Sequence, residues 1–177
     1  MLNIRSCIMT LLSIILLLPV FFAIHELEEI IMMQRWVSKN RSTLYDRYPK
    51  IGFIIRLMEK VNTRGITIIA AEEFVIVSAC TFATAYTGNI VAWYCCLAAF
   101  GIHLVIHLFQ FITWRRYIPA IVTSLLCLPY CIYAIYRISG LLTQTEFILY
   151  AAVGIAIGVI NLLAMHFVVG KSTCKYI

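Results

Sequence analysis

The sequence predicts an all-α, polytopic membrane protein with about five transmembrane helices, on the basis of its composition and its long apolar runs. Of its 177 residues, 63% are hydrophobic and only 12% are charged, whereas a water-soluble domain carries roughly 25% charged residues. A soluble fold of this length would therefore be left with an apolar exterior. No linker or low-complexity stretch divides the chain, so we expect residues 1–177 to form a single membrane domain.

Five apolar runs have the roughly 20 residues that a helix needs to cross the hydrocarbon core of a bilayer. They span residues 6–33, 66–87, 90–113, 116–138 and 147–169. The first run could be mistaken for a signal peptide as far as Ile24. However, no small-x-small cleavage site precedes His25, and the apolar character resumes at Ile30. We therefore interpret this run as a permanent first span.

If the chain crosses the membrane five times, its basic residues lie mainly on one side. Lysines and arginines are dense in the connection 34–65, and others occur at Arg115, Arg116 and Lys171. The alternate loops, around residues 87–89 and 139–146, contain none. Because basic loops remain in the cytoplasm, we expect a multi-pass protein of the cell membrane with its N-terminus outside and its C-terminus cytoplasmic. The net charge of +6 is explained by these connections, and we expect no nucleic-acid partner.

The connection 34–65 also contains a helical pattern. Its apolar residues recur at Ile51, Ile54, Ile55, Met58 and Val61. This spacing predicts a short amphipathic cytoplasmic helix between the first two spans, which either lies on the inner leaflet or packs against the ends of the bundle.

The most informative residues are polar ones inside the apolar runs. They are His25, Glu26, Glu28 and Glu29 in the first run, Glu72 and Glu73 in the second, His103, His107 and Gln110 in the third, and Asn161 and His166 in the fifth. Their spacing places His25, Glu28 and Glu29 on one helix face, and the third run presents a similar stripe. At 1.5 Å per residue from the basic ends, these groups fall at a similar depth in four helices.

This level contains carboxyl and imidazole groups but no lysine or arginine to neutralise them. An ionised group at mid-membrane costs roughly 2.5–3.5 kcal/mol on insertion scales, so protonation, imidazolium partners or a bound cation must offset the cost. Mixed carboxylate and imidazole ligands from several helices hold iron, manganese or zinc in helical bundles.

We predict metal ligands at His25, Glu28, Glu29, Glu73 and His107. Glu28 and Glu29 are also the candidate catalytic residues, further candidates are Glu72, His103, Gln110, Asn161 and His166, and Glu26 is assigned no role.

The segment His25-Glu26-Leu27-Glu28-Glu29 resembles the motif of the HXXEE-domain family of integral membrane proteins. That family also has a further histidine, which His107 resembles, and a Tyr-x-Pro-Gly motif. Tyr117-Ile118-Pro119-Ala120 resembles the latter, with alanine in place of glycine. The resemblance covers most of the chain and implies no activity, because none is established for the family. We expect Pro119 in the first turn of the fourth span, where its missing N–H does no harm and alanine is tolerated next to it.

Several functions remain open at this level. The leading hypothesis is a membrane-embedded, metal-dependent enzyme that acts on an apolar or lipid-like small molecule from the bilayer. A proton-coupled carrier would use the same groups as a relay, and a non-catalytic membrane subunit would use them for neither purpose. A glutamate-type intramembrane protease fits less well, because Arg35 comes too late after Glu29 for the Glu-Glu-x-x-x-Arg spacing. The sequence does not determine the oligomeric state.

Overall fold

The computed structural model describes residues 2–173, with side chains described for residues 11–171. The regular secondary structure of these residues is entirely helical, with no strand. Its helices are α1 (Leu2–Arg47), α2 (Gly52–Lys60), α3 (Thr63–Thr87), α4 (Val91–Trp114), α5 (Ile121–Ile138) and α6 (Gln144–Thr173), with a 3-10 turn at Pro49–Ile51. Five of these helices are long and apolar enough to cross a membrane. The predicted all-α fold with five candidate spans is therefore confirmed.

The long helices enclose a core built mainly by α1, α4 and α5. α1 packs between α3 and α5, α4 packs between α5 and α6, and α3 also contacts both α4 and α6. Leu18, Trp93, Leu97 and Leu104 are completely buried in this core. Burial of such large side chains fixes α1 beside α4, and the polar groups that these two helices carry are thereby brought together.

Pro19 interrupts the hydrogen bonding of α1, and the core compensates for it. A proline has no N–H, so the carbonyl of the residue four positions earlier loses its helical donor. That carbonyl belongs to Ile15, and the indole Nε1 of Trp93 donates to it at 3.1 Å. The Tyr130 hydroxyl donates to the neighbouring carbonyl of Ile14 at 2.8 Å. α1 consequently remains one helix despite the proline, and these two bonds tie it to α4 and α5.

The first helix extends further than the sequence predicted. The predicted span ends at residue 33, whereas α1 continues to Arg47. Residues 34–47 contain no glycine or proline to end the helix, and they bury Val37 and Leu44. The first part of the predicted connection 34–65 is therefore a continuation of α1 as far as Arg47.

α2 confirms the predicted short helix but divides its apolar residues between two sides. Ile55 is 2% exposed and packs against the ends of the bundle, and Val61, which follows the helix, is equally buried. Phe53 and Ile54 instead face outward. The Glu59 carboxylate joins α2 to α1 through an ion pair with Arg41 at 2.8 Å.

The loop before α5 corrects the predicted position of Pro119. α5 begins at Ile121 rather than at residue 116, so Pro119 lies in the loop and Ala120 is the N-cap. The chain reverses direction between α4 and α5 by placing Arg115 and Ala120 in left-handed conformations, with φ of 60° and 65°. The expectation that alanine sits in an ordinary helical turn is therefore wrong. Ala120 holds a conformation that favours the glycine of the related motif.

This conformation predicts how position 120 responds to substitution. Ala120→Gly should change the free energy of unfolding by less than about 1 kcal/mol, because relief of left-handed strain of about 1–2 kcal/mol is offset by loss of one buried methyl. Ala120→Val should destabilise the protein by at least about 2 kcal/mol, because a β-branched side chain is strained at positive φ and this site is fully buried. Denaturant titration in mixed micelles measures both, and a valine variant as stable as the parent would contradict the assignment.

Candidate metal centre

Three histidines and one glutamate meet between α1 and α4. His25 and Glu29 lie one turn apart on α1, and His103 and His107 lie one turn apart on α4. Each of the four offers one ligand atom, and these atoms all lie within 4.8 Å of one another. We refer to these four residues as the His/Glu cluster. His25 is completely buried and His107 is 3% exposed, whereas Glu29 and His103 are partly buried.

The distances within the His/Glu cluster match the spacing of ligands around a single cation. Nε2 of His107 lies 3.0 Å from Oε1 of Glu29 and 3.1 Å from Nε2 of His103. The ring of His25 is centred 5.1 Å from each of the other two imidazoles. Nitrogen atoms bonded at about 2.0–2.1 Å to a tetrahedral ion lie roughly 3.3 Å apart. The two shortest distances in the His/Glu cluster are close to this spacing, and imidazole and carboxylate are donor types that transition metals take.

The hydrogen bonds around His25 orient its imidazole as a ligand requires. Its Nδ1 lies 3.2 Å from the Thr123 hydroxyl, and that hydroxyl donates its proton to Glu28 Oε2 at 2.8 Å. Nδ1 of His25 must then carry the ring proton, which leaves the lone pair on Nε2. This Nε2 is buried and has no hydrogen-bond partner in the described part of the chain. A histidine held by its second nitrogen with a free lone pair is the usual state of a metal ligand. Nδ1 of His107 is a second buried nitrogen without such a partner.

Glu28 lies outside the His/Glu cluster and caps α5 instead. Its Oε2 accepts the backbone N–H of Thr123 at 2.9 Å, and its Oε1 accepts the Tyr117 hydroxyl at 2.8 Å. The N-cap residue Ala120 has no side-chain acceptor, so Glu28 supplies one from α1 and places its carboxylate at the positive end of the helix dipole. Glu28, which the sequence predicts as a ligand and a catalytic residue, is thus placed against α5 with both of its oxygens hydrogen-bonded.

Tyr117 contributes to this cap through its hydroxyl. Burial and the hydrogen bond to Glu28 together raise the pKa of Tyr117 to about 12. The phenol therefore remains protonated near neutral pH and continues to donate to Glu28. Pro119, the other residue named from this motif, is buried in the loop beside it.

Glu73 and His166 lie beside the His/Glu cluster rather than within it. Both line a cavity of about 40 Å³ that is also bordered by Glu26, Glu29 and His103. Glu26, to which the sequence assigned no role, is only 8% exposed and faces this cavity. Nδ1 of His166 lies 2.9 Å from the carbonyl of Leu162 in its own helix. The predicted ligand Glu73 is thus a neighbour of the His/Glu cluster.

The remaining candidates lie apart from the His/Glu cluster. Asn161 Nδ2 donates to Glu72 Oε2 at 3.0 Å, which links α6 to α3 within the apolar layer. Gln110 is exposed near the end of α4. The sequence analysis did not identify Thr123. The only feature of the sequence that points to this residue is its position three residues after the segment that resembles Tyr-x-Pro-Gly.

A model of the family described as proteins of unknown function with an HXXEE motif matches residues 16–134. The chain belongs to this family. The matched range contains all four residues of the His/Glu cluster as well as Glu28 and Thr123. Neither the curated proteins nor the solved structures include a match to the chain.

The HXXEE motif divides its polar residues between two tasks. Its histidine, His25, and its last glutamate, Glu29, are four residues apart and face α4 as members of the cluster. Its first glutamate, Glu28, is rotated by about 100° from Glu29 and faces α5. The motif therefore supplies two candidate ligands and also contacts α5, the helix whose Thr123 orients His25.

The capping role of Glu28 can be tested by its effect on stability. Glu28→Gln preserves the shape of the side chain but removes the charge from the N-terminus of α5, and we expect a loss of about 1–3 kcal/mol in the free energy of unfolding. Asp46→Asn, at an exposed position of the same helix, is the matched control and should change stability little. Equal stability of the two variants in a denaturant titration would contradict the capping role.

Proposed function

We propose that this HXXEE protein is a metal-dependent membrane enzyme whose His/Glu cluster binds a divalent iron, manganese or zinc ion and acts on an apolar or lipid-like substrate. The observation that carries the proposal is the convergence of three imidazoles and one carboxylate, with ligand atoms within 4.8 Å of one another. The unpartnered buried Nε2 of His25 supports it, because a buried acceptor without a donor is costly unless something binds there.

The donor set suits a transition metal. Imidazole nitrogens favour zinc and iron, and a carboxylate oxygen also accommodates manganese. Four protein ligands around a five- or six-coordinate ion leave room for a substrate, whereas tetrahedral zinc would leave room only if Glu29 served as general base instead of ligand. A bound ion would act as a Lewis acid that polarises an oxygen atom of the substrate. In either arrangement His25, His103 and His107 hold the site.

Electrostatics favours a cation at this position over an empty cluster. Glu29 is largely buried within an apolar layer, and among the described residues its only partner within salt-bridge distance is His107. A dication bound by all four residues would offset the burial of the carboxylate and would also satisfy His25 Nε2. A proton relay arranges carboxylates and imidazoles in a chain along a path, whereas the four ligand atoms here converge on one point.

We also propose that this site lies in the cytoplasmic half of a cell-membrane protein whose N-terminus is outside. The Arg47 guanidinium donates to the carbonyls of Thr113 and Trp114 at 2.7 Å and 3.3 Å, so α1 and α4 end together. Val61 packs with Val169, which adds the end of α6 to the same side. The basic residues next to these helix ends therefore share one face of the bundle, as the positive-inside rule requires of a cytoplasmic face.

Metal analysis of the purified protein tests the proposal directly. The parent protein should contain about one transition-metal ion per chain, as measured by inductively coupled plasma mass spectrometry. His107→Ala and His25→Ala should each lower this content at least about tenfold, because these two histidines hold the ion whether Glu29 is a ligand or the general base. His166→Ala, which removes a histidine outside the cluster, is the matched control and should retain the metal. Unchanged metal content in both ligand variants would refute the metal centre.

The orienting role of Thr123 makes a separate prediction. Thr123→Val removes the hydroxyl between His25 and Glu28 with little change in size, and we expect metal affinity to fall by about 10–100-fold. Thr123→Ser keeps the hydroxyl and should stay close to the parent. Competition with a chelator of known affinity measures both variants, and equal affinities for valine and serine would exclude an orienting role.

A further inference from the structure

A second cavity, of about 390 Å³, lies between α3, α4 and α6 and reaches the edge of α1. Its volume falls within the roughly 300–1,000 Å³ of sites that bind small molecules. Along α4 its lining runs from Ala92 to Ile106, a distance of roughly 21 Å at the rise of an α-helix. The cavity is therefore long and narrow enough for one extended hydrocarbon chain.

The cavity has an opening on the side of the bundle, between α3 and α6. Ile76 of α3 and Ile157 of α6 both line it, and they are 41% and 61% exposed. Each lies within a candidate membrane span. Exposed apolar side chains at mid-span face lipid in a membrane helix, so a molecule from the bilayer would enter sideways between α3 and α6.

The inner end of the cavity is polar and acidic. Glu26, Glu73, His103 and Asn161 line it, and none of the residues that line the cavity is a lysine or an arginine. Carboxyl groups buried without a cationic partner are unfavourable in an apolar layer. A positively charged ligand group placed between Glu26 and Glu73 would remove this penalty, whereas a carboxylate or phosphate would increase it.

We infer that this cavity binds a single-chain amphiphile with an amine head group, whose chain lies along α4 and whose ammonium group pairs with Glu26 and Glu73. His103 lines this cavity and also belongs to the His/Glu cluster, so the head group is held next to the candidate metal. The inference rests on the proposed function, because it names the class of substrate that the metal site would receive.

Binding of dodecylamine to the full-length protein in phosphatidylcholine nanodiscs tests the inference, with dodecanol and dodecanoate as ligands of matched chain. Native mass spectrometry should show saturable binding of the amine, at least about tenfold tighter than binding of the alcohol. The reason is that a hydrogen bond between an ammonium group and a carboxylate is stronger than one between two neutral groups. The Glu26→Gln/Glu73→Gln double variant should lose this preference. Dodecanoate binding as tightly as the amine, or an unchanged preference in the double variant, would overturn the inference.

A blocking variant tests the position of the chain. Ile76→Trp should fill the opening and lower amine affinity at least about tenfold, by direct overlap with the ligand. Val75→Trp is the matched control, because Val75 is 64% exposed on the same helix and does not line the cavity. Equal amine affinities in the two tryptophan variants would overturn the assigned position.

The experiments can refute the metal-dependent function and the amphiphile site independently of each other. Amine binding that persists in metal-depleted His107→Ala protein supports the cavity assignment independently of the metal. A parent protein that binds the amine but contains no metal would refute the proposed function and leave the amphiphile site standing. A parent protein that holds its metal but binds no amine would refute only the amphiphile site.

Discussion

Carboxyl groups buried among apolar helices must find partners inside the protein, and this constraint organises the whole bundle. Glu72 accepts a hydrogen bond from Asn161, which joins α3 to α6. Glu28 accepts from the first turn of α5, and Glu29 contacts His107 of α4. Glu28, Glu29 and Glu72 thus each determine which helix lies next to their own. Hydrophobic burial alone is non-directional, so these polar contacts restrict which helix faces can meet.

The parts of the structure that depend on composition and depth could be predicted from the sequence. Long apolar runs require helices in a bilayer, and the shared level of the histidines and glutamates follows from a fixed rise per residue. The allocation of Glu28 and Glu29 could not be predicted, because adjacent residues differ by about 100° around a helix and both fit a broad inward face. Only the position of α5 decides which of the two reaches α4.

The loop before α5 shows a second limit of sequence reasoning. Pro119 is compatible both with a first helical turn and with a preceding loop, because in either place its missing N–H is harmless. The left-handed conformation of Ala120 decides between them, and it follows from the need to reverse the chain between two packed helices. Once α5 begins at Ile121, Thr123 comes within reach of both His25 and Glu28. One loop conformation therefore determines which side chains surround the candidate ligand.

The length of α1 has a mechanical consequence. A single uninterrupted helix carries His25 and Glu29 within the bundle and Trp36 and Arg47 beyond them, and its far end is attached to the α4–α5 loop through the hydrogen bond from Trp36 to the carbonyl of Tyr117. Because both ends belong to one helix, the hydrogen bond that anchors Trp36 also restrains the rotation of His25 and Glu29 about the helix axis.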